Sequence, residues 1–240
     1  MVKKSLFHKM LPFYLILPLI CLTLSAIGSR TVTVIHTNSG YPNRSLIILD
    51  AGHGGIDGGA LSCTGVPESQ INLEIANRLS DMLHLLGYNT MMLRTSDTSL
   101  HTEGNTIASQ KVSDLKHRVE TVNNLSPTLM VSIHQNTFSD KRYSGAQVFY
   151  AADEESMATA QQMQRNLIRI LNPDSKRKPK KATGIYLMEH IHCPGILIEC
   201  GFLTNEQEEA LLRNERYQKK ISAVVAATVS SQIAKTHQAV

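Results

Sequence analysis

The chain has 240 residues, 42% of them hydrophobic and 18% charged, with a formal net charge of +4. That length and apolar content bury one substantial core, so a single domain follows once the N-terminus is set aside. Removing the five cations of Lys176-Arg177-Lys178-Pro179-Lys180-Lys181 from the net +4 leaves −1, which argues against a nucleic-acid partner for the body of the chain. In chain order, Lys3, Lys4 and Lys9 come first and precede an apolar stretch, Leu11–Ile27. Positive charge before an apolar stretch marks the cytoplasmic end, so the remainder lies outside the membrane. The stretch is short for a spanning helix and is interrupted by Pro12 and Pro18. Ala26-Ile27-Gly28 forms a small-x-small site before Ser29. Residues 1–28 therefore read as an export signal, either cleaved or kept as a membrane anchor, and 29–44 as a polar linker.

From residue 45 to 240 strands and helices alternate. Ser45–Asp50 reads as a strand, Ser69–Leu86 as a helix ending at Gly87, and Asn89–Leu93 as a strand. A polar loop, Thr95–Ala108, precedes a helix near Ser109–Asn124 and the strand Leu129–Ile133. Gln147–Tyr150 reads as a strand, Glu154–Leu171 as a helix, Gly184–Met188 and Ile196–Glu199 as strands, and Ala210–Leu212 and Tyr217–Lys235 as closing helices. The pattern predicts an α/β fold: a three-layer sandwich with a largely parallel sheet flanked by helices. The basic run at 176–181 reads as a solvated loop or as a contact for an anionic polymer or membrane surface.

In such sheets ligands bind beyond the carboxyl ends of the strands. Three strands end there in titratable groups: "LDAGHGG" in Asp50 and His53, "SIHQN" in His134, and "ILIE" in Glu199. Glu68 adds a fourth. The stripe Ile71, Ile75, Leu79, Met82, Leu83 and Leu86 marks the core face of the first helix, and at 100° per residue Glu68 falls in line with it. A carboxylate there needs a cation, unless it only favours the helix start. Two imidazoles and one carboxylate with an open fourth position make the usual catalytic zinc site. His53, Glu68 and His134 supply that set, and Glu199 is then free to move protons.

Other groups have competing readings. Asp50 either orients a ligand histidine through its second nitrogen or only braces the turn. His190 and His192 form an H-x-H that either reaches the cleft or belongs to an ordinary loop. Cys21 lies in the export segment, and Cys63, Cys193 and Cys200 match no zinc-thiolate spacing; Cys200 reads as a core residue.

"LDAGHGGIDGGA", "VPESQINLEIANRL", "SIHQN" and "ILIECGFLTN", in that order, resemble the motifs of the zinc-dependent N-acetylmuramoyl-L-alanine amidases. The resemblance runs from about Leu46 to the C-terminus and includes Arg118 and Asn123. It is most like the spore-cortex branch, through "RTSDTSL", "SGAQVFY" and "TGIYLMEHIHCPGILIECGFLTN". It implies that His53, Glu68 and His134 bind zinc, that Glu199 is the catalytic glutamate, and that peptidoglycan is the substrate. The alternatives are a zinc carboxypeptidase or sugar deacetylase acting on cell-wall substrates, and a non-catalytic wall-binding module.

Overall fold

Strand–helix alternation folds into a six-stranded sheet covered by helices on both faces. The computed structural model describes residues 45–238, so the expected export segment and linker lie outside the described residues. The strands are β1 (Leu46–Ala51), β2 (Asn89–Met92), β3 (Leu129–Asn136), β4 (Gln147–Tyr150), β5 (Lys180–Lys181) and β6 (Gly195–Phe202). Their order is β2-β1-β3-β6-β4-β5. Every neighbouring pair is parallel except β4, which runs antiparallel to β6. The helices are α1 (Glu68–Leu85), α2 (Ile107–Leu125), α3 (Glu154–Leu171), α4 (Tyr186–His190), α5 (Glu206–Leu212) and α6 (Glu215–Gln238).

Side chains alternate between the faces of a strand, and the alternation decides what each layer buries. Ile47, Leu49 and Ala51 of β1, Val131 and Ile133 of β3, and Ile196 and Ile198 of β6 join one core with Ile71, Ile75 and Leu79 of α1, Met163 of α3 and Val225 of α6. Ile48, Met130 and Leu197 face the other way and pack with Val122 of α2 and Leu187 and Met188 of α4. On that second face the next positions toward the carboxyl end are polar: Asp50, Ser132, His134 and Glu199. Asp50 stands opposite Ser132 across β1–β3, and His134 opposite Glu199 across β3–β6. The buried stripe of α2 over this region is Asp114, Arg118 and Val122 rather than a row of aliphatics. The site is therefore an extension of the smaller core in which apolar residues give way to charged pairs.

Two expectations need correction. Gly184–Met188 is not a strand; Tyr186–His190 forms the short helix α4 instead. A brief apolar run fits a strand or one helical turn equally well, and here its apolar side packs flat on the sheet. The basic run is also more than a loop. Lys180 and Lys181 form the edge strand β5 beside β4, both exposed, where lysines discourage further edge pairing. Arg177 lays its guanidinium 4.9 Å from the Phe202 ring centroid. Cys63, Cys193 and Cys200 are free thiols, and Cys200 is buried in the core as expected. No helix among the described residues is long and apolar enough to cross a membrane.

Candidate active site

The four groups singled out at strand and helix ends meet in one place. His53 leaves β1 in the left-handed region, with φ 62°. That conformation is uncommon for a residue with a Cβ and is often kept where function requires it. Gly52 lets His134 approach, since a Cβ on it would lie 2.1 Å from His134 Nε2. Gly59, at φ +70°, passes so close that a Cβ would sit 2.7 Å from a Glu68 oxygen and 2.8 Å from the His53 ring. Glu68 opens α1, only 3% exposed. His134 lies inside β3, which continues two residues past the histidine, its pairing with β6 shifting register between His134 and Asn136.

One ligand atom from each of His53, Glu68 and His134 can be chosen so that all lie within 4.8 Å of one another. The imidazole centroids of His53 and His134 are 4.9 Å apart, nearly edge to face. Glu68 sits between them: His134 Nδ1 donates to Oε1 at 3.0 Å, and His53 Nε2 is 3.3 Å from Oε2. The backbone amides of Gln135 and Ala60 donate to the same carboxylate at 3.0 and 3.1 Å, and Asn72 donates at 3.2 Å. Burial favours the neutral acid, but the two histidines outweigh it and hold Glu68 well below the usual carboxylate range. His53 shows the reciprocal effect. Burial pulls it down, yet the hydrogen bonds to Asp57 and Glu68 raise it to about 9.

Asp57, not Asp50, holds a histidine ring, and of the two readings of Asp50 the bracing one stands. His53 Nδ1 donates to Asp57 Oδ2 at 2.8 Å, which leaves Nε2 as the nitrogen facing the cluster. Such an acceptor fixes the tautomer and ring orientation of a metal-binding histidine. Asp50 instead pairs with buried Arg118 and accepts from Ser132 Oγ at 2.6 Å, so it touches neither histidine. Arg118 also donates to Asp114 and to the carbonyls of Ala51 and His53, tying α2 to the turn that carries His53. Spacing alone placed Asp50 at the right strand end but did not show that Arg118 would claim it. The clue to Asp57 was its place four residues after His53 within one glycine-rich turn.

Glu199 lies across the sheet from His134 and lines the same cleft of about 430 Å³ as His53, His134 and Lys111. Its Oε2 is buried without a hydrogen-bond partner. Burial raises its pKa to about 7, with the Glu68 charge adding to the rise and the two histidines opposing it. A buried carboxyl with a free oxygen beside a ligand cluster is poised for proton transfer. His190 and His192 do not line this cleft. His190 Nδ1 donates to the Tyr186 carbonyl and its ring stacks on Tyr186 at 4.0 Å. Asn123 clamps that loop, donating to the His190 carbonyl and accepting from the His192 amide. The loop 95–108 does not line the cleft either; it braces the His53 turn, Asp97 accepting from the Gly55 amide at 3.0 Å. A larger groove of about 680 Å³, bordered by Tyr143 and Arg177, holds none of the candidate groups.

The family model of the N-acetylmuramoyl-L-alanine amidases matches residues 47–231, all of the sheet but Leu46 and nearly all of its helices. The chain belongs to that family. The germination-specific N-acetylmuramoyl-L-alanine amidase of Bacillus subtilis (strain 168) is 40% identical over 182 residues, covering 75% of this amidase and 76% of the relative. Among solved structures, the CwlD amidase of Clostridioides difficile, determined in complex with the GerS lipoprotein, superposes with a TM-score of 0.76 at 37% identity, over 79% of this amidase and 98% of that chain. An N-acetylmuramoyl-L-alanine amidase from Clostridium difficile 630 gives a TM-score of 0.69 at 29% identity, over 79% and 97%. The single α/β domain with its mostly parallel sheet is thus the amidase fold, and the amidase acts on peptidoglycan.

Proposed function

We propose that this amidase is a zinc enzyme acting in spore cortex maturation. It hydrolyses the amide between the lactyl group of N-acetylmuramic acid and the L-alanine of the stem peptide. The observation that carries the reading is the convergence of His53, Glu68 and His134 within 4.8 Å beside the unpartnered oxygen of Glu199. Two imidazoles and a carboxylate are the donor set of catalytic zinc, and these three residues fit it. Zinc bound there supplies Lewis acidity and an activated water near neutral pH.

The chain's own groups do the rest. Asp57 holds the His53 ring through Nδ1, and the Gln135 and Ala60 amides hold the Glu68 carboxylate, which keeps these donors turned toward one point. Glu199 accepts a proton from the attacking water and returns it to the L-alanine nitrogen as the C–N bond breaks. The products are a free lactyl carboxyl on the glycan, as muramic lactam formation requires, and a peptide with a new amino terminus. The germination-specific relative supports the spore setting, and the lysines before the apolar N-terminal stretch support an extracytoplasmic location, secreted or anchored. Mass spectrometry of muropeptides after incubation with the zinc-loaded protein tests the reaction. Peptides beginning with free L-alanine are the expected products; release of D-alanine or of acetate would replace the reading with a carboxypeptidase or a deacetylase.

A further inference from the structure

The cleft beside the candidate ligands is crowded with acids. Asp50, Asp57, Asp114 and Glu199 line it, and Glu68 is in contact with both His53 and His134. A field of that sign repels an anionic substrate unless a cation offsets it. Outside the cluster of His53, Glu68 and His134 and the zinc proposed for it, two basic side chains border the cleft, Arg118 and Lys111. Arg118 is 2% exposed and its guanidinium is committed to Asp50, Asp114 and two carbonyls. Lys111 differs. Its side chain is 47% exposed, and its ammonium reaches Asp57 Oδ1 at 2.7 Å. An ammonium carries three donors, so this pairing leaves others for the cleft. The Asp57 pair also holds the lysine in place, which reduces the entropy lost when it takes a second anion.

A muramyl peptide offers anions on one side only. Its N-acetylated sugars are neutral, and its carboxylates belong to the stem peptide. We propose that Lys111 recognises a carboxylate on the peptide side of the scissile bond. The amidase then selects stems whose residue after L-alanine bears a free carboxylate over stems in which that carboxyl is amidated. The inference rests on the reaction proposed above and adds to it a specificity residue. Ile185 and Leu187, at the start of α4, also line the cleft and offer apolar contact without charge.

Two synthetic muramyl peptides, identical except for a free or an amidated carboxyl on the second stem residue, test it with the zinc-loaded protein. The wild type should favour the free carboxylate about tenfold in kcat/KM, chiefly through KM, as expected for a hydrogen bond to a charged group. Lys111→Met should bring that ratio close to one, losing far more on the free-carboxylate substrate, with zinc content unchanged. Lys111→Arg should keep most of the preference. Equal turnover of the two substrates by the wild type would overturn the inference. So would an equal loss on both in Lys111→Met, which would mean that Lys111 acts only through Asp57 and His53. Failure of the wild type to cleave either substrate would overturn the proposed reaction itself, and the inference with it.

Discussion

Replacing Glu199 by Gln separates proton transfer from metal binding and from folding. The substitution keeps size and removes the charge. Oε2 has no hydrogen-bond partner, so no contact is broken at that atom. General acid–base groups contribute about 10²–10⁴-fold to rate, or roughly 3–5 kcal/mol of barrier, and turnover should fall by that factor with zinc content intact. Stability should move the other way. In the metal-free protein Glu199 is raised from 4.5 to about 7. A carboxyl raised on folding costs nothing below its unfolded value, progressively more as pH climbs between the two values, and a constant amount above the folded one. The difference corresponds to about 3 kcal/mol at pH 8 as an upper figure. The metal-free Glu199→Gln variant should therefore melt higher than the metal-free wild type at pH 8 and at the same temperature at pH 4. Release of amino groups from muropeptides, elemental zinc analysis and melting at both pH values, on one preparation, measure all three effects. Near-normal turnover with full zinc would refute the catalytic role, and a lower melting temperature at pH 8 would refute the assignment of Glu199 as an unsatisfied buried acid.

His53→Ala and His134→Ala should each abolish stoichiometric zinc, and elemental analysis showing one zinc per chain in both would remove them from the ligand set. Because His53 is raised to about 9 without metal, it is protonated at pH 7 and must lose that proton to serve as a ligand. Zinc uptake at pH 7 should thus release at least about one proton per site, and affinity should rise with pH up to about 9; calorimetry in buffers of different ionisation enthalpy reads both. Asp57→Asn should weaken zinc binding by about 10–100-fold, the usual effect of removing the acceptor behind a metal-binding histidine. A chelator competition giving wild-type affinity would deny Asp57 that role.

Much of the architecture was legible along the chain because it is periodic and local. Helix α3 occupies the predicted span Glu154–Leu171 because Asp153 caps it, accepting from the Ser156 amide at 2.7 Å, and its apolar stripe repeats at helical spacing. Glu68 could be placed on the core-facing line of α1 by angle alone, and it is buried there. The parallel sheet followed from strand–helix alternation, and the strand ends that it aligns drew attention to His53, His134 and Glu199.

What only the tertiary structure decided depends on register and on partners far apart in sequence. Whether Gly184–Met188 becomes a strand or a turn of helix is settled by what it packs against, since four or five apolar residues suit both. The antiparallel setting of β4 and the two-residue strand at Lys180–Lys181 arise from pairing across the sheet, which no local pattern encodes. Asp50 and Asp57 are seven residues apart, and the strand-end position singled out only Asp50 as a support for a histidine. Arg118, 68 positions downstream of Asp50, takes that acid, and the left-handed turn at His53 aims its ring at Asp57. Charge and hydrogen-bonding capacity are written in the residue types, but which donor meets which acceptor is fixed only when the sheet brings the strands into register.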